Sequence, residues 1–240
     1  MPGGLDWSVL WSGPYAEQIG AAVLVTLQLS LASWVFALAI GVVVGVARES
    51  PSRTARFLAT CHVEIFRNIP LLVQLFFAYY VLPRALPMEW RQELFAMGWE
   101  MGSAILTLSL YTSAKVAEHV RAGLNAVSQQ VKIGALATGL TWWQSQRYVV
   151  LPLLLRLSLP SLTSEFVTVF KSSSLAMTVG VVETAGVTQQ LGLETFRWIE
   201  ANSIGTAIYL GCAWTVAIVM AVLERALRVP GLIRPGEQAR

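Results

Sequence analysis

Three charged side chains, Lys115, Glu165 and Lys171, stand in stretches of the chain that are otherwise largely apolar, and Ser172 and Ser173 directly follow the second lysine. An ammonium group with neighbouring hydroxyl donors is suited to bind a carboxylate, because hydrogen bonds to charged groups are the strong ones. Glu165 can accept an ammonium group of a ligand, or it can pair with a lysine in a structural role. The sequence therefore predicts ligand contacts at these five residues.

Other charges have a simpler interpretation. Glu64 and Arg67 are three residues apart, as are Glu118 and Arg121. Residues at this spacing lie on the same face of a helix and can form ion pairs. We interpret both pairs as structural.

The composition shows which solvent surrounds these residues. Of the 240 residues, 55% are hydrophobic and 13% are charged, and the mean hydropathy is +0.59. Soluble domains carry about 25% charged residues. Residues 18–47 and 201–223 contain no charge at all, and about 20 apolar residues suffice for a helix to cross a bilayer. The chain is therefore predicted to be a multi-pass membrane protein rather than a soluble all-α protein.

The remaining composition limits the function classes. The basic residues are scattered rather than arranged in a stripe, which gives no indication of a nucleic-acid partner. The spacing of Cys61 and Cys212 predicts neither a disulfide framework nor a metal site. His62 and His119 lack partners at metal-ligand spacing, so no metal site is predicted.

Five transmembrane helices are predicted from the apolar stretches, with approximate limits 19–47, 57–82, 101–121, 159–182 and 203–227. Together they form a transmembrane domain over residues 19–228. Pro70 lies near the middle of the second helix and predicts a kink, because proline removes a helix hydrogen bond. Gln74, one turn further along, is a candidate for the lining of a substrate path.

The charges in the loops predict the orientation. One set of loops carries eleven of the basic residues, while the other set carries only Arg84, Arg91 and Arg197. Since cytoplasmic loops carry the excess of Lys and Arg, residues 1–18 are predicted to lie on the outer, periplasmic side. By the same rule, the tail at residues 229–240 is predicted to be cytoplasmic.

The predicted cytoplasmic loop, residues 122–158, contains a short helix–turn–helix pattern. Gly139 can end a helix in the left-handed conformation. Thr141 and Gln144 match a capping box that starts the next helix, and Pro152 is expected to end or kink that helix. The hairpin either simply joins two spans or docks a cytoplasmic partner. The residues assigned to such docking are Gly134, Ala135, Gly139, Leu140, Thr141, Trp142, Trp143 and Pro152.

The loop segment "GALATGLTWWQSQRYVVLP" resembles the EAA loop of the inner-membrane permeases of ABC importers. Further segments, in the same order along the chain, resemble the polar-amino-acid branch of that family: "TLQLSLAS", "VEIFRNIPLLVQLFFAYYVLP", "AEHVRAG" and "LPSLTSEFVTVFKSSSLA". The form "FRNIPLLVQ" and the late "VPGLI" are most similar to glutamate and aspartate permeases.

The resemblance implies an all-α polytopic membrane protein with the type I ABC importer permease fold, placed in the bacterial inner membrane. It implies two cytoplasmic ABC ATPase subunits, a second permease subunit (identical or paralogous), a periplasmic amino-acid-binding protein and surrounding lipid as partners. It also implies import of a polar amino acid, with glutamate or aspartate favoured because related acidic-amino-acid permeases carry a basic residue at the position of Lys115.

The chain itself is expected to be a transport subunit rather than an enzyme, without a cofactor of its own. Its three lysines, Lys115, Lys132 and Lys171, do not follow glycine, so the phosphate-binding pattern G-x-x-x-x-G-K-[ST] is impossible. If ATP is used, it binds to partner ATPase subunits.

The loop also departs from the family pattern. Ile133 stands where the family has its glutamate, and Gly134 stands where it has the first alanine. This removes a charge that the family offers to the ATPase, or it marks the weaker of two unlike permease subunits. We expect docking to rest on the turn and on the two tryptophans.

Two other classes of membrane protein fit the sequence less well. A stand-alone secondary transporter or channel would need a complete pathway in one chain, often built from repeated halves, and no internal repeat is evident. A membrane enzyme would need a catalytic motif such as H-E-x-x-H or G-x-S-x-G, and neither is present.

Overall fold

The computed structural model describes residues 4–11 and 13–226, and every regular element in these ranges is helical. The ten α-helices are α1 Tyr15–Arg48, α2 Arg53–Asn68, α3 Leu71–Phe76, α4 Met88–Ala96, α5 Trp99–Ala126, α6 Gln129–Ala137, α7 Trp142–Ser145, α8 Leu151–Ser173, α9 Thr184–Thr195 and α10 Trp198–Ala226. The all-α prediction is confirmed. The predicted tail at 229–240 lies outside the described residues.

Helix α5 is the centre of the bundle and packs along α1. The two backbones approach closely at glycines of α1: a Cβ added to Gly41 would lie 2.5 Å from Val116 Cγ1, and one added to Gly45 would lie 2.8 Å from the Ala117 carbonyl oxygen. Small residues permit such close contact where apolar surroundings supply little driving force of their own. Serines and threonines make up much of the buried face of α5.

Among the described residues, three helical segments are long and apolar enough to cross a membrane, and a bent pair can supply a fourth. The three are Tyr15–Arg48, Trp143–Val179 and Trp198–Ala226. Helix α5 has sufficient length, at 28 residues, but is not among them and carries four charged residues, Glu100, Lys115, Glu118 and Arg121. The count of five spans therefore stays a prediction.

The second predicted span is not one helix. Helix α2 ends at Asn68, and the segment Leu71–Ala85 leaves it at an angle of 103°. Pro70 lies at the break with ψ 136°, an extended conformation from which no helix can continue. The predicted kink is confirmed in place, but it is a sharp break rather than a bend within one helix.

The fourth predicted span begins earlier than expected. Helix α7 continues through a π-helical stretch, Gln146–Val150, into α8 at Leu151. The helix continues past Pro152, which lies in the first turn of α8, so the prediction that Pro152 ends the helix is wrong. The π-helical stretch directly before Pro152 changes the backbone hydrogen-bond spacing at the place where the proline N–H is missing. The loop between α5 and α8 is correspondingly shorter than the predicted 122–158.

One end of the bundle is formed by α9, the beginning of α10 and the segment before α1. After α8 the chain continues as a 3₁₀ helix, Ser174–Val179, and then turns at Gly180, whose φ is +91°. Leu10 is buried against Leu191 and Ala201. The Asp6 backbone N–H donates to Glu200 Oε1 at 2.9 Å. The segment from Asp6 to Leu10 is therefore attached to the bundle, and α1 starts four positions before the predicted residue 19.

Candidate functional site

Lys115 and Glu165, predicted from sequence as ligand contacts, lie together between α5 and α8. Lys115 Nζ is 3.5 Å from Glu165 Oε2, and His119 Nε2 is 3.4 Å from Glu165 Oε1. The Lys115 ammonium also lies 4.8 Å from the centre of the Tyr111 ring. Both side chains of the ion pair keep some exposure, 26% for Lys115 and 17% for Glu165. The pairing between these two residues, left open by the sequence, is present.

Lys171 lies elsewhere, in the last turn of α8. It lines an open groove of about 440 Å³ together with residues of α9 and α10, among them Thr188, Asn202, Thr206 and Tyr209. Six residues separate Lys171 from Glu165, which is about 9 Å of helix rise. The groove contains one cation, which can accept a carboxylate. The hydroxyls of Ser174, Thr188 and Thr206 donate to backbone carbonyls and so line the groove as hydrogen-bond acceptors.

The remaining predicted path residues do not join this groove. The Ser173 hydroxyl is buried and donates to the Phe170 carbonyl at 2.7 Å. Ser172 faces α3 and α5, where it borders an internal space with Leu75 and Thr107. Of the three adjacent residues predicted from sequence, Lys171 lines the groove, whereas Ser172 and Ser173 do not.

Gln74 has a structural task. Its side-chain N–H groups donate to the carbonyls of Phe66 at 2.9 Å and Ile69 at 2.8 Å, the last residues before the break at Pro70. These carbonyls have lost their helix partners because α2 ends there. The Gln74 Oε1 atom is buried without a hydrogen-bond partner among the described residues.

A second charged cluster joins the ends of α1, α2 and α5. Glu118 accepts hydrogen bonds from Arg48 at 2.5 Å, Arg121 at 3.2 Å and Arg67 at 3.4 Å. The predicted Glu118–Arg121 pair is confirmed. The predicted Glu64–Arg67 pair is wrong: Glu64 accepts from Asn68 instead, and Arg67 turns to Glu118 on the neighbouring helix.

The predicted helix–turn–helix between α5 and α8 has the expected local geometry. Gly139 has φ +87° and separates α6 from α7. The Thr141 N–H donates to Gln144 Oε1 at 2.8 Å, and the Gln144 N–H donates to Thr141 Oγ1 at 3.3 Å, which is a reciprocal capping box.

The hairpin shows apolar side chains to its surroundings. Leu136 is 45% exposed, Ile133 57% and Trp143 76%, whereas Ala135 is buried. Ile133 thus occupies an exposed position where a charged side chain would also fit. The side chain of Trp142 lies outside the described residues.

The chain has clear relatives among known proteins. Residues 37–229 match the family described as "Binding-protein-dependent transport system inner membrane component". The chain is 37% identical to the glutamate/aspartate import permease protein GltJ of Escherichia coli strain K12 over 90% of both chains. It is 30% identical to the glutamine transport system permease protein GlnP of the same strain, over 93% of this chain and 98% of GlnP.

The chain belongs to this family of inner-membrane permeases.

Solved structures agree with the fold of this permease. It superposes on a chain from "Crystal structure of an amino acid ABC transporter with histidines" with a TM-score of 0.79, at 24% identity, over 93% of this chain and 100% of the other. A chain of the MetNI methionine ABC transporter in an inward-facing conformation gives a TM-score of 0.71 at 20% identity, over 91% and 100% of the two chains. These similarities show the type I permease fold.

One buried charge of the permease was missed by the sequence reasoning. Glu183 is fully buried and precedes α9, where its carboxylate accepts hydrogen bonds from the N–H groups of Ala185 at 3.0 Å and Gly186 at 2.9 Å. The Tyr209 hydroxyl donates to the same carboxylate. The signal available was a glutamate three residues after a glycine, at the end of the apolar stretch in "VGVVETAG", because a negative charge is favourable at the start of a helix.

Proposed function

We propose that this permease is a subunit of an ATP-driven importer that moves an acidic amino acid, glutamate or aspartate, across the inner membrane. The proposal is supported by its similarity to GltJ, named as a glutamate/aspartate import permease, over nearly the whole chain. GlnP, at lower identity, is named as a glutamine transport permease. To transport glutamate rather than glutamine, the substrate site must therefore favour a side-chain carboxylate over a side-chain amide.

The observation that carries the substrate class is Lys171 in its groove. Lys171 has no salt bridge to another described residue, whereas Lys115 is paired with Glu165. A cation without an ion-pair partner, in a helical segment long and apolar enough to cross a membrane, is costly and points to function. In this proposal Lys171 receives a carboxylate of the substrate in the groove, and the Lys115–Glu165 pair, about 9 Å away along α8, forms a separate contact on the path by opening when the substrate passes.

The proposed assembly follows the division of labour in the family. Two ABC ATPase subunits dock on the hairpin formed by α6, the Gly139 turn and α7, and a binding protein delivers substrate to the outer face. The permease pairs with an identical or a paralogous permease subunit. In this proposal the permease has five spans, with α2 and α3 as one broken span and α5 as a charged central span. The N-terminus lies outside and the C-terminus inside, as the excess of basic residues in one set of loops predicts.

The substrate proposal is tested by uptake into proteoliposomes that contain the whole transporter and its binding protein. Lys171→Met should reduce the uptake of glutamate or aspartate by about tenfold or more, the loss expected for one charge-assisted hydrogen bond. Lys171→Arg, which keeps the positive charge, should retain most of this uptake. Equal losses for glutamate and glutamine in Lys171→Met would contradict a role in selecting the acidic side chain.

The subunit proposal is tested by ATP hydrolysis. The purified permease alone should show no ATPase activity, and the assembled transporter should hydrolyse ATP when the loaded binding protein is added. Robust hydrolysis by the permease alone would refute the assignment of ATP to another chain.

A further inference from the structure

Glu183 stands where the chain leaves α8 and enters α9. Thr26 of α1 and Tyr209 of α10 approach it from two neighbouring helices. Thr26 lies eleven residues after the first residue of α1, and Tyr209 eleven residues after the first residue of α10. This spacing corresponds to about 16 Å of helix rise. The carboxylate thus lies at the start of α9 but well away from the first residues of α1 and α10.

The first task of Glu183 is to cap α9. Its carboxylate accepts the N–H groups of Ala185 and Gly186, and the N–H of Thr184 donates to Thr26 Oγ1 at 3.1 Å. Backbone groups in an apolar interior must find such partners, because water is not available to them. The negative charge also suits the positive end of the helix dipole.

Capping alone does not account for the whole arrangement. Tyr209 belongs to another helix, and its hydroxyl donates to Oε2 of the same carboxylate, the atom that also accepts from Ala185. Thr26 Oγ1 lies 3.5 Å from Oε2 and 2.8 Å from Thr184 Oγ1. One carboxylate therefore fixes the beginning of α9 relative to both α1 and α10.

The same helices form two walls of the Lys171 groove. Ala185 and Thr188 of α9 and Gly205 and Tyr209 of α10 all line it. The walls meet tightly, since a Cβ added to Gly205 would lie 3.0 Å from Thr188 Oγ1. A small displacement of α9 against α10 would change the width of the groove directly.

We propose that Glu183 is a positioning residue for substrate binding: it holds Tyr209 and the first turn of α9 in the places that shape the Lys171 groove. This inference rests on the proposed function of that groove. Glu183 itself is fully buried behind the wall, so it acts through Tyr209 and Ala185 rather than by contact with the substrate.

Two substitutions separate positioning from capping. Glu183→Gln keeps one acceptor oxygen, so the N–H of either Ala185 or Gly186 loses its partner, whereas Tyr209 can still donate to that oxygen or accept from the new NH2 group. Tyr209→Phe keeps the cap and the aromatic ring but removes the bond between α9 and α10. In uptake assays with the assembled transporter we expect each variant to raise KM about tenfold at equal amounts of complex. The double variant should be no worse than the more impaired single variant, because the groups act as one unit.

Tyr15→Phe is the matched control. The Tyr15 hydroxyl also donates to a glutamate of α9, Glu194 at 3.2 Å, but at an exposed position that does not line the groove. This variant should leave KM unchanged. If Tyr209→Phe behaves like Tyr15→Phe, Glu183 is only a helix cap and the proposal is overturned.

Hydrogen exchange separates this proposal from that of the substrate groove, because it needs no substrate. In the assembled transporter, Glu183→Gln and Tyr209→Phe should both accelerate exchange of the Ala185 and Gly186 N–H groups. Unchanged exchange in Tyr209→Phe would overturn the positioning role even if Lys171→Met impairs acidic uptake. The opposite combination is faster exchange in Glu183→Gln and Tyr209→Phe with unchanged uptake in Lys171→Met. It would refute the groove as the substrate path but support the link between α9 and α10.

Discussion

Lys115 Nζ lies 3.5 Å from Glu165 Oε2 and links the central helix α5 to α8. Each charge stabilises the other in a region where an isolated charge would be costly. If the pair had only this structural role, removing both charges would be harmless, because a neutral pair leaves no unpartnered ion.

The first prediction compares the loss of one charge of this pair with the loss of both. Lys115→Met should lower both the yield of folded permease and the uptake of acidic amino acids, because Glu165 then loses its ion-pair partner. Lys115→Met combined with Glu165→Gln should restore the yield but not the uptake, measured in proteoliposomes at equal transporter content. Full recovery of uptake in the double variant would show that the pair is structural only.

The second prediction concerns the turn at Gly139. Its φ of +87° is a conformation that residues with a side chain rarely adopt, and no atom lies within 4 Å of a Cβ added there. Gly139→Ala should therefore introduce only backbone strain, of about 1–2 kcal/mol. We expect normal membrane insertion but weaker co-purification of the ATPase subunits and slower uptake.

Gly134→Ala supplies the control for that experiment. Gly134 lies within α6 and also has open space around its added Cβ. Alanine favours a helix interior over glycine by about 1 kcal/mol. This variant should keep the ATPase bound; if both alanine variants lose it equally, the shape of the turn is not what the ATPase requires.

Features fixed by neighbours in sequence were the ones that could be predicted. The capping box of Thr141 and Gln144 and the left-handed Gly139 depend on a few adjacent residues, and both are present. The break at Pro70 follows from the missing N–H of proline in the same way.

Features that depend on distant partners could not be predicted. The spacing of Glu64 and Arg67 suggested a pair, but Glu118 on α5 offers Arg67 another carboxylate. The carboxylate of Glu183 accepts a hydrogen bond from Tyr209, which is 26 residues further along the chain. Only the packing of the helices shows that Lys171 lines a groove while Ser173 is buried.

The third prediction tests the contact between α1 and α5. Gly41→Ala places a methyl group 2.5 Å from Val116 Cγ1 and 2.9 Å from the Ser113 carbonyl oxygen, so the helices must separate. Overpacking of this kind costs about 1–3 kcal/mol. We expect a lower midpoint of thermal unfolding in detergent. Gly20→Ala on the same helix meets no atom within 4 Å and should leave the midpoint equal or slightly higher; a similar loss in both variants would contradict the close approach.

The fourth prediction concerns the charge cluster around Glu118. The Arg48 side chain is 13% exposed and lies 2.5 Å from Glu118 Oε1. Arg48→Met should destabilise the permease by about 1 kcal/mol, a modest loss because Arg67 and Arg121 also contact Glu118. The effect is measured by thermal unfolding in detergent at low and high salt, and the difference from the wild type should shrink as salt screens the remaining charges.

Arg53→Met is the control, because Arg53 is exposed and has no ion pair within the described part of the chain. A loss in Arg53→Met as large as that in Arg48→Met would mean that general surface charge, rather than the bond to Glu118, stabilises this end of the bundle.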